Sequence, residues 1–375
     1  MPRGQSRRAA AGPVGRVATR RSRPERAAGV EYSALLTERV NRRTRRLDRM
    51  TALQLVQAIN REDARVAGAV AHVRRPLARA VERVAEALRR GGRLVYVGAG
   101  TSGRLGALDA AECPPTFGTL PGRVVAVIAG GPRALRRAIE GAEDRRREAA
   151  RALAGLRVGP RDVVCAICAS GVTPFALAAL EAARRRGAAT LAVTCAPSSR
   201  LRALAEIVIA PRVGPEVLAG STRMKAGLAT KMVLHTLTTA AMVRLGKVYG
   251  NLMVDLRPAS AKLRARAVRI VAALAGLPPR RAGRLLRQAG GRPPVALVMH
   301  HLGLSRRRAE ARLAAAGGDL RAVLTSEGGS APLPNLPPRR RGRSPRWERA
   351  TQSASRGARA RERRRYWGTE VQRGG

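Results

Sequence analysis

Five short apolar runs in the middle of the chain most constrain what it can fold into. They read RLVYV (93–97), VVAVIAGG (124–131), VVCAICASG (163–171), TLAVTC (190–195) and EIVIAP (206–211). Each has the length of a buried strand, and helical sequence follows at 132–155 and from about Pro174 to Arg186. Strands that alternate with helices predict an α/β domain with a doubly wound parallel sheet. Ligands bind such sheets at the carboxyl ends of the strands.

Helical sequence flanks this domain on both sides. Between Glu38 and about Leu88, apolar residues recur at a spacing that predicts one buried helical face: Leu53, Leu55, Val56, Ile59, Val66, Val70 and Val73. A long helix is expected from Ser221 to about Leu245, and residues 260–324 predict three or four short helices broken by LPP (277–279) and GGRPP (290–294). The predicted organisation is a disordered basic tail (1–30), an N-terminal helical segment (31–82), a ligand-binding domain (83–247), a small C-terminal helical region (248–324) and a disordered Arg-rich tail (325–375).

The formal net charge is +48, which alone would suggest nucleic acid or an anionic surface as the partner. Part of it lies at the ends, with eight Arg and one Glu in residues 1–30 and thirteen Arg and three Glu in residues 331–375. No zinc-finger or helix-turn-helix pattern accompanies the charge, and aromatic residues for base stacking make up only 2% of the chain. Solvated arginine is therefore favoured over a nucleic-acid surface.

The cysteines and histidines predict neither a disulfide framework nor a metal site. Cys165 and Cys168 have C-x-x-C spacing, but they lie on a predicted strand, where residues three apart point to opposite faces. Cys113, Cys195 and the four histidines add no metal-ligand spacing. No stretch of about 18 apolar residues and no signal-peptide core are present, so we expect a cytoplasmic protein without a membrane partner.

The loop after the first apolar run reads Gly98-Ala-Gly100-Thr101-Ser102-Gly103, a literal G-x-G-x-x-G. A dinucleotide site also needs an acid at the end of the second strand, but that strand ends in Ala129-Gly130-Gly131. A nicotinamide cofactor is therefore not expected. The loop instead suits a phosphate, bound by backbone N–H groups and by the Thr101 and Ser102 hydroxyls at a helix N-terminus. The alternative is a tight turn whose glycines only permit the backbone path.

The third run ends in a second hydroxyl-bearing turn, Ala169-Ser170-Gly171-Val172-Thr173-Pro174. Proline suits the first turn of a helix, and either hydroxyl could act only as a helix cap. Two such loops on one sheet indicate a phosphate site more strongly than either loop alone.

Five longer motifs lie between roughly residues 37 and 324: TERVNRRTRRLDRM…INRED (37–63), GAGTSGRLGALDAAECPPTFG (98–118), IEGAEDRR (139–146), GPEVLAGSTRMKAG (214–227) and GKVYGNLMVDL (246–256). In this order they resemble segments of the N-acetylmuramic acid 6-phosphate etherase family. The fourth segment is also similar to the vertebrate glucokinase regulatory protein.

The resemblance implies a sugar-isomerase (SIS) type of sheet, a homodimer, a sugar-phosphate ligand, and neither metal nor nucleotide cofactor. It implies cleavage of the D-lactyl ether of N-acetylmuramic acid 6-phosphate, which yields N-acetylglucosamine 6-phosphate and D-lactate. By motif, Glu112 is the implied acid that later activates water, and Glu143 the base that removes the C2 proton. The implied substrate- and phosphate-binding residues are Gly100, Thr101, Ser102, Ser170, Gly171, Thr173, Glu216, Ser221, Thr222, Arg223 and Lys225.

The chain departs from the family pattern at two positions near these motifs. Val172 stands where a polar residue is usual, and Leu228 where threonine usually follows R-M-K-A-G. A sugar-phosphate sensor without catalysis is the alternative function. Both acidic motifs in a chain with one SIS unit favour the enzyme.

Overall fold

The computed structural model describes residues 35–326, which form two compact units. One comprises residues 35–114 and 119–244, and the other comprises residues 115–118 and 245–326. The predicted tails at 1–30 and 325–375 lie outside the described residues, apart from Thr325 and Ser326.

The sheet of the first unit has five parallel strands in the order β2-β1-β3-β4-β5. The strands are β1 (Leu94–Gly98), β2 (Val124–Ile128), β3 (Val163–Ile167), β4 (Ala189–Val193) and β5 (Ile207–Ile209). β1 and β3 pair directly, with Gly98 opposite Ile167 at their carboxyl ends. The strand order reverses between these two strands, so the loops after them lie side by side at the point where open α/β sheets bind ligands. The predicted doubly wound parallel sheet is confirmed.

Helices cover the sheet, and β1, β3 and β4 are therefore buried along their whole length. The helices of this unit are α1 (Ala52–Asp63), α2 (Val66–Ala71), α3 (Arg74–Arg89), α4 (Gly100–Phe117), α5 (Arg146–Gly155), α6 (Pro174–Arg185) and α7 (Lys225–Arg244). The core is aliphatic and rich in alanine, and in α6 nine of twelve residues are buried. No described helix is long and apolar enough to cross a membrane.

Close packing of α4 on the sheet requires glycine at two positions of the first loop. A Cβ on Gly98 would lie 2.8 Å from the backbone nitrogen of Gly103, and a Cβ on Gly103 would lie 2.6 Å from Cγ1 of Ile128. Two of the glycines therefore serve helix–strand packing.

The second unit is helical, with α8 (Ala261–Ala275), α9 (Pro279–Gln288), α10 (Pro293–Leu302), α11 (Arg306–Ala315) and α12 (Leu320–Thr325). Proline begins α9 and α10, as the two predicted breaks require. Five helices replace the predicted three or four, because Gly303 and Gly317-Gly318, all at positive φ, add two further breaks.

Two expectations for the first unit are wrong. Residues 132–145 are not part of a continuous helix: they form short 3-10 turns at Pro132–Leu135 and Ala142–Asp144, since Gly131 and Gly141 adopt positive φ. On α1, Leu53 and Val56 are 67% and 54% exposed rather than buried. The later part of the apolar series, in α2 and before α3, is buried as predicted.

Candidate functional site

A cavity of about 450 Å³ opens at the carboxyl ends of β1 and β3, a volume that suits a small metabolite. Four groups of residues line it: residues 99–102 after β1, residues 167–170 and 172–174 at the end of β3 and after it, Glu143 and Asp144 on their 3-10 turn, and residues 35, 37 and 38 together with Gly220 and Thr222. Gly100, Thr101, Ser102, Ser170, Thr173 and Thr222 are the predicted binding residues that line it.

Two helices begin at this cavity. α4 starts at Gly100, and α6 starts at Pro174, with Thr173 at its N-cap position. The first backbone N–H groups of α4 have no partner within the described residues, whereas at the start of α6 Pro174 has no N–H and those of Ala176 and Leu177 donate to the Thr173 carbonyl. Each helix N-terminus carries a partial positive charge of about half an elementary charge. Together with the hydroxyls of Thr101, Ser102 and Ser170, they form an environment that favours an anion.

The turn after β3 is built around the Cys168 thiol. Its sulfur accepts the backbone N–H groups of Gly171 (3.2 Å) and Thr173 (3.4 Å), and its S–H donates to Oγ1 of Thr173 (3.1 Å). Gly171 has φ +75, and a Cβ there would lie 2.1 Å from Cβ of Ser199. Gly171 therefore shapes the turn without lining the cavity.

Among the described residues, 35–326, no lysine or arginine lines this cavity. The groups there that can bind a phosphate are N–H groups, hydroxyls and helix dipoles. Val172, one of the two departures from the family pattern, does line the cavity, whereas Leu228 is exposed on α7 and does not.

The two predicted catalytic glutamates do not meet within one chain. Glu143 lines the cavity from its 3-10 turn, which is anchored by the buried Ala142. Glu112 is exposed on α4, twelve residues beyond Gly100. At 1.5 Å per residue that places Glu112 about 18 Å along the helix from the cavity end.

Glu216 and Lys225 lie inside the protein rather than at the cavity, each only 1% exposed. The Glu216 carboxylate accepts the backbone N–H groups of Lys225 and Ala226, both at 2.9 Å, and so caps the start of α7. The Lys225 Nζ lies 2.5 Å from Oε2 of Glu62. Of the same motif, Ser221 does not line the cavity and Arg223 is exposed.

The pKa values of the Glu216 and Glu62 carboxylates shift in opposite directions. Burial raises the pKa of Glu216 despite the N–H groups that it accepts. Burial also acts to raise the pKa of Glu62, but the hydrogen bond and the charge of Lys225 outweigh it and lower that pKa. The lowered pKa favours the carboxylate form of Glu62, which pairs with Lys225 inside the protein.

Glu38 also lines the cavity, and it is not among the site residues predicted from the sequence. It lies within TERVN, the start of the first segment that resembles the family. Its place in that segment is the one feature of the sequence that could have indicated a role in the site. Because the contact joins residues far apart in the chain, local spacing gave no indication of it.

Family models match this region of the chain. The SIS domain model matches residues 148–240, and the model of the glucokinase regulatory protein N-terminal SIS domain matches residues 76–184. With the parallel sheet and the strand-end cavity, these matches define an SIS-domain protein.

Full-length relatives narrow the class further. The N-acetylmuramic acid 6-phosphate etherase of Rhodopirellula baltica is 48% identical over 296 residues, which cover 79% of this chain and 98% of the relative. That of Symbiobacterium thermophilum is 54% identical over 269 residues, 72% of this chain and 89% of the relative. The chain belongs to the N-acetylmuramic acid 6-phosphate etherase family.

Proposed function

We propose that this protein is a carbon–oxygen lyase that cleaves the D-lactyl ether of N-acetylmuramic acid 6-phosphate, giving N-acetylglucosamine 6-phosphate and D-lactate, as part of amino-sugar catabolism in the cytoplasm. The observation that carries the proposal is the strand-end cavity, where two hydroxyl-bearing helix starts face the Glu143 carboxylate. An anion site beside a carboxylate base suits proton removal from a phosphorylated sugar.

The reaction needs two proton-transfer groups. The ether oxygen lies β to the aldehyde carbon of the open-chain sugar. Glu143 removes the C2 proton, and the resulting enolate expels lactate as Glu112 protonates the leaving oxygen. Glu112 then activates the water that adds at C3. Thr101, Ser102, Ser170 and Thr173 hold the phosphate.

Lactate release tests the reaction directly. The protein should release D-lactate from N-acetylmuramic acid 6-phosphate without added metal or nucleotide. In ¹⁸O-labelled water the label should enter the sugar at C3. Label in the lactate would instead indicate displacement at the lactyl carbon and contradict elimination.

The separation of the two glutamates supports a homodimer in which Glu112 acts in the partner's cavity. A group about 18 Å along α4 is beyond the reach of a sugar held at the Gly100 end of the same helix. Leu108, four residues before Glu112 and so on the same helix face, is 45% exposed. Val40 and Leu218, each two residues from a residue that lines the cavity, are 60% and 56% exposed and line one surface pocket together. Exposed apolar side chains that lie together are typical of an interface.

Mixed dimers test this arrangement. Equal amounts of E112Q and E143Q chains, unfolded and refolded together, should regain about a quarter of the parent activity. Half of the dimers are then mixed, and each mixed dimer has one site with both glutamates. Each variant refolded alone is the control. If the mixture stays as inactive as its components, the two glutamates belong to one chain's site.

The second candidate is a sugar-phosphate sensor, which the match to the glucokinase regulatory protein SIS domain favours. A sensor would bind the sugar phosphate in the same cavity without releasing lactate. Calorimetric binding alongside the lactate assay separates the two functions.

A further inference from the structure

We infer that Glu38 is a third catalytic residue, which opens the sugar ring before elimination. The inference rests on the proposed function. The substrate is a cyclic hemiacetal in solution, whereas elimination requires the free aldehyde at C1. A group at the cavity must therefore move a proton from the anomeric hydroxyl to the ring oxygen.

Few residues at the cavity can transfer protons. None of the four histidines lines it, and the acid–base side chains among the lining residues are Glu38, Glu143, Asp144 and Cys168. The Cys168 thiol is engaged in its own turn, and the residue is 3% exposed. Glu143 and Asp144 are neighbours on one 3-10 turn, whereas Glu38 comes from a different segment. Glu38 can thus act on C1 while Glu143 acts on C2.

Hydrogen bonds dock the segment that carries Glu38 onto the chain before α7. The backbone N–H of Gly220 donates to the carbonyl of Thr37 (3.0 Å), and the Thr44 hydroxyl donates to the carbonyl of Val217 (2.8 Å). The amide of Asn41 donates to the carbonyl of Pro215 (3.4 Å). These contacts fix the backbone on both sides of Glu38 and place it at the cavity.

The carboxylate of Glu38 remains available to a ligand. Its only hydrogen bond within the described residues comes from the Thr37 hydroxyl to Oε1 (3.2 Å), and it makes no ion pair there. A Cβ on Gly220 would lie 3.1 Å from Oε2 of Glu38, so glycine at that position leaves the carboxylate its space.

One carboxylate can carry out the whole ring-opening step. One oxygen of Glu38 takes the proton from the anomeric hydroxyl, whose O–H electrons form the C1=O bond. The C1–O5 bond breaks, and O5 leaves with its electron pair. The protonated Glu38 then donates that proton to O5, so Glu38 ends as a carboxylate and no other reactant is consumed.

Anomer exchange measures ring opening separately from elimination. The probe is N-acetylglucosamine 6-phosphate, which has no lactyl group, and the readout is magnetisation transfer between its α- and β-anomeric protons by NMR. The parent should accelerate exchange over buffer. E38Q should lose about 10²-fold or more of that acceleration, the usual contribution of a general acid–base group. Glu38 is exposed, so the variant should fold.

Three control variants and one rescue experiment make the result specific. E143Q should keep anomer exchange and lose exchange of the C2 proton with deuterated solvent. D144N tests the neighbouring carboxylate, and E140Q changes an exposed glutamate that does not line the cavity. E38A with added formate should recover part of the anomer exchange, which a purely structural defect would not.

Two results would overturn the inference while leaving the proposed function intact. One is parental anomer exchange in E38Q, and the other is loss of that exchange in D144N but not in E38Q. Failure of the proposed function is a different result, in which the parent itself releases no lactate.

Discussion

At the scale of single residues, the two proposed catalytic glutamates should fail in different ways when changed to glutamine. E112Q cannot protonate the lactyl oxygen, but it leaves Glu143 to remove the C2 proton. That variant should still exchange the C2 proton with deuterated solvent while releasing almost no lactate. E143Q should lose both processes because no enolate forms. Losses on the order of 10²–10⁴-fold are expected, measured by proton NMR and a lactate assay.

Glu140 provides the matched control for this pair, since it is an exposed glutamate three residues before Glu143 and does not line the cavity. E140Q should retain parental rates. Exchange that survives only in E143Q would reverse the two roles. Near-parental lactate release in both E112Q and E143Q would remove these residues from the mechanism.

The hydroxyls at the two helix starts should act on binding rather than on chemistry. S102A and S170A each remove one hydroxyl from the cavity, and a hydrogen bond to a charged group contributes about 1.5–3 kcal/mol. KM for the phosphorylated sugar should therefore rise at least about tenfold in each variant, with a smaller change in kcat. S221A is the control, because Ser221 belongs to the same family motif but does not line the cavity. Unchanged KM in S102A and S170A would place the phosphate elsewhere.

At the scale of elements, the Glu62–Lys225 pair joins α1 to the start of α7 inside the protein. K225M would leave the Glu62 carboxylate buried, with Arg43 and Arg65 at 3.4 and 3.6 Å from it, both largely exposed. Unfolding by urea should show a loss of about 3 kcal/mol or more for K225M. The double variant E62L/K225M should recover much of that loss, since it leaves no buried charge. A parental free energy of unfolding with a raised KM would instead make Lys225 a substrate residue.

The same pair should make stability depend on pH. The pKa of Glu62 is lowered in the folded state from 4.5, so its contribution is fully present above pH 4.5 and is lost as the pH falls through the folded value. The stability difference between the parent and K225M should therefore shrink below pH 4.5. A difference that stays constant down to pH 3 would contradict the assignment.

The sequence predicted the elements well where their pattern was local. All five strands lie within their predicted runs to within about one residue, because a buried parallel strand is a continuous apolar run between glycine-rich loops. Residues 132–145 were misassigned since their apolar spacing resembles a helix, while the deciding feature is the conformation of Gly131 and Gly141. Leu53 and Val56 were expected to be buried, but helical spacing does not say whether a partner covers the apolar face.

The site was predictable only in part, for a related reason. The glycines and hydroxyls of the loops after β1 and β3 are a local pattern, and five of the residues predicted there line the cavity: Gly100, Thr101, Ser102, Ser170 and Thr173. Glu38 and Lys225 depend on contacts between distant segments, and neither the cavity position of the first nor the buried pairing of the second follows from local sequence.

At the scale of the whole molecule, the large positive charge of the chain should not take part in the proposed reaction. The chain has a formal net charge of +48, yet in the part that the structure describes no lysine or arginine lines the cavity. The terminal segments hold a large part of the arginine, with eight in residues 1–30 and thirteen in residues 331–375. These segments also lie beyond the region that resembles the family. Their charge therefore should affect non-specific association with polyanions rather than turnover.

Removal of residues 1–30 and 327–375 tests this separation. The shortened chain should keep its melting temperature, its kcat and its KM, because these segments lack the apolar periodicity needed to add to a core. Its affinity for duplex DNA in a gel-shift assay should fall, and the dependence of that affinity on salt should become shallower, because fewer counterions are released. A control chain of full length, with the arginines of both segments changed to glutamine, should behave like the shortened chain. Loss of folding or of lactate release in the shortened chain would show that the terminal segments belong to the functional domain.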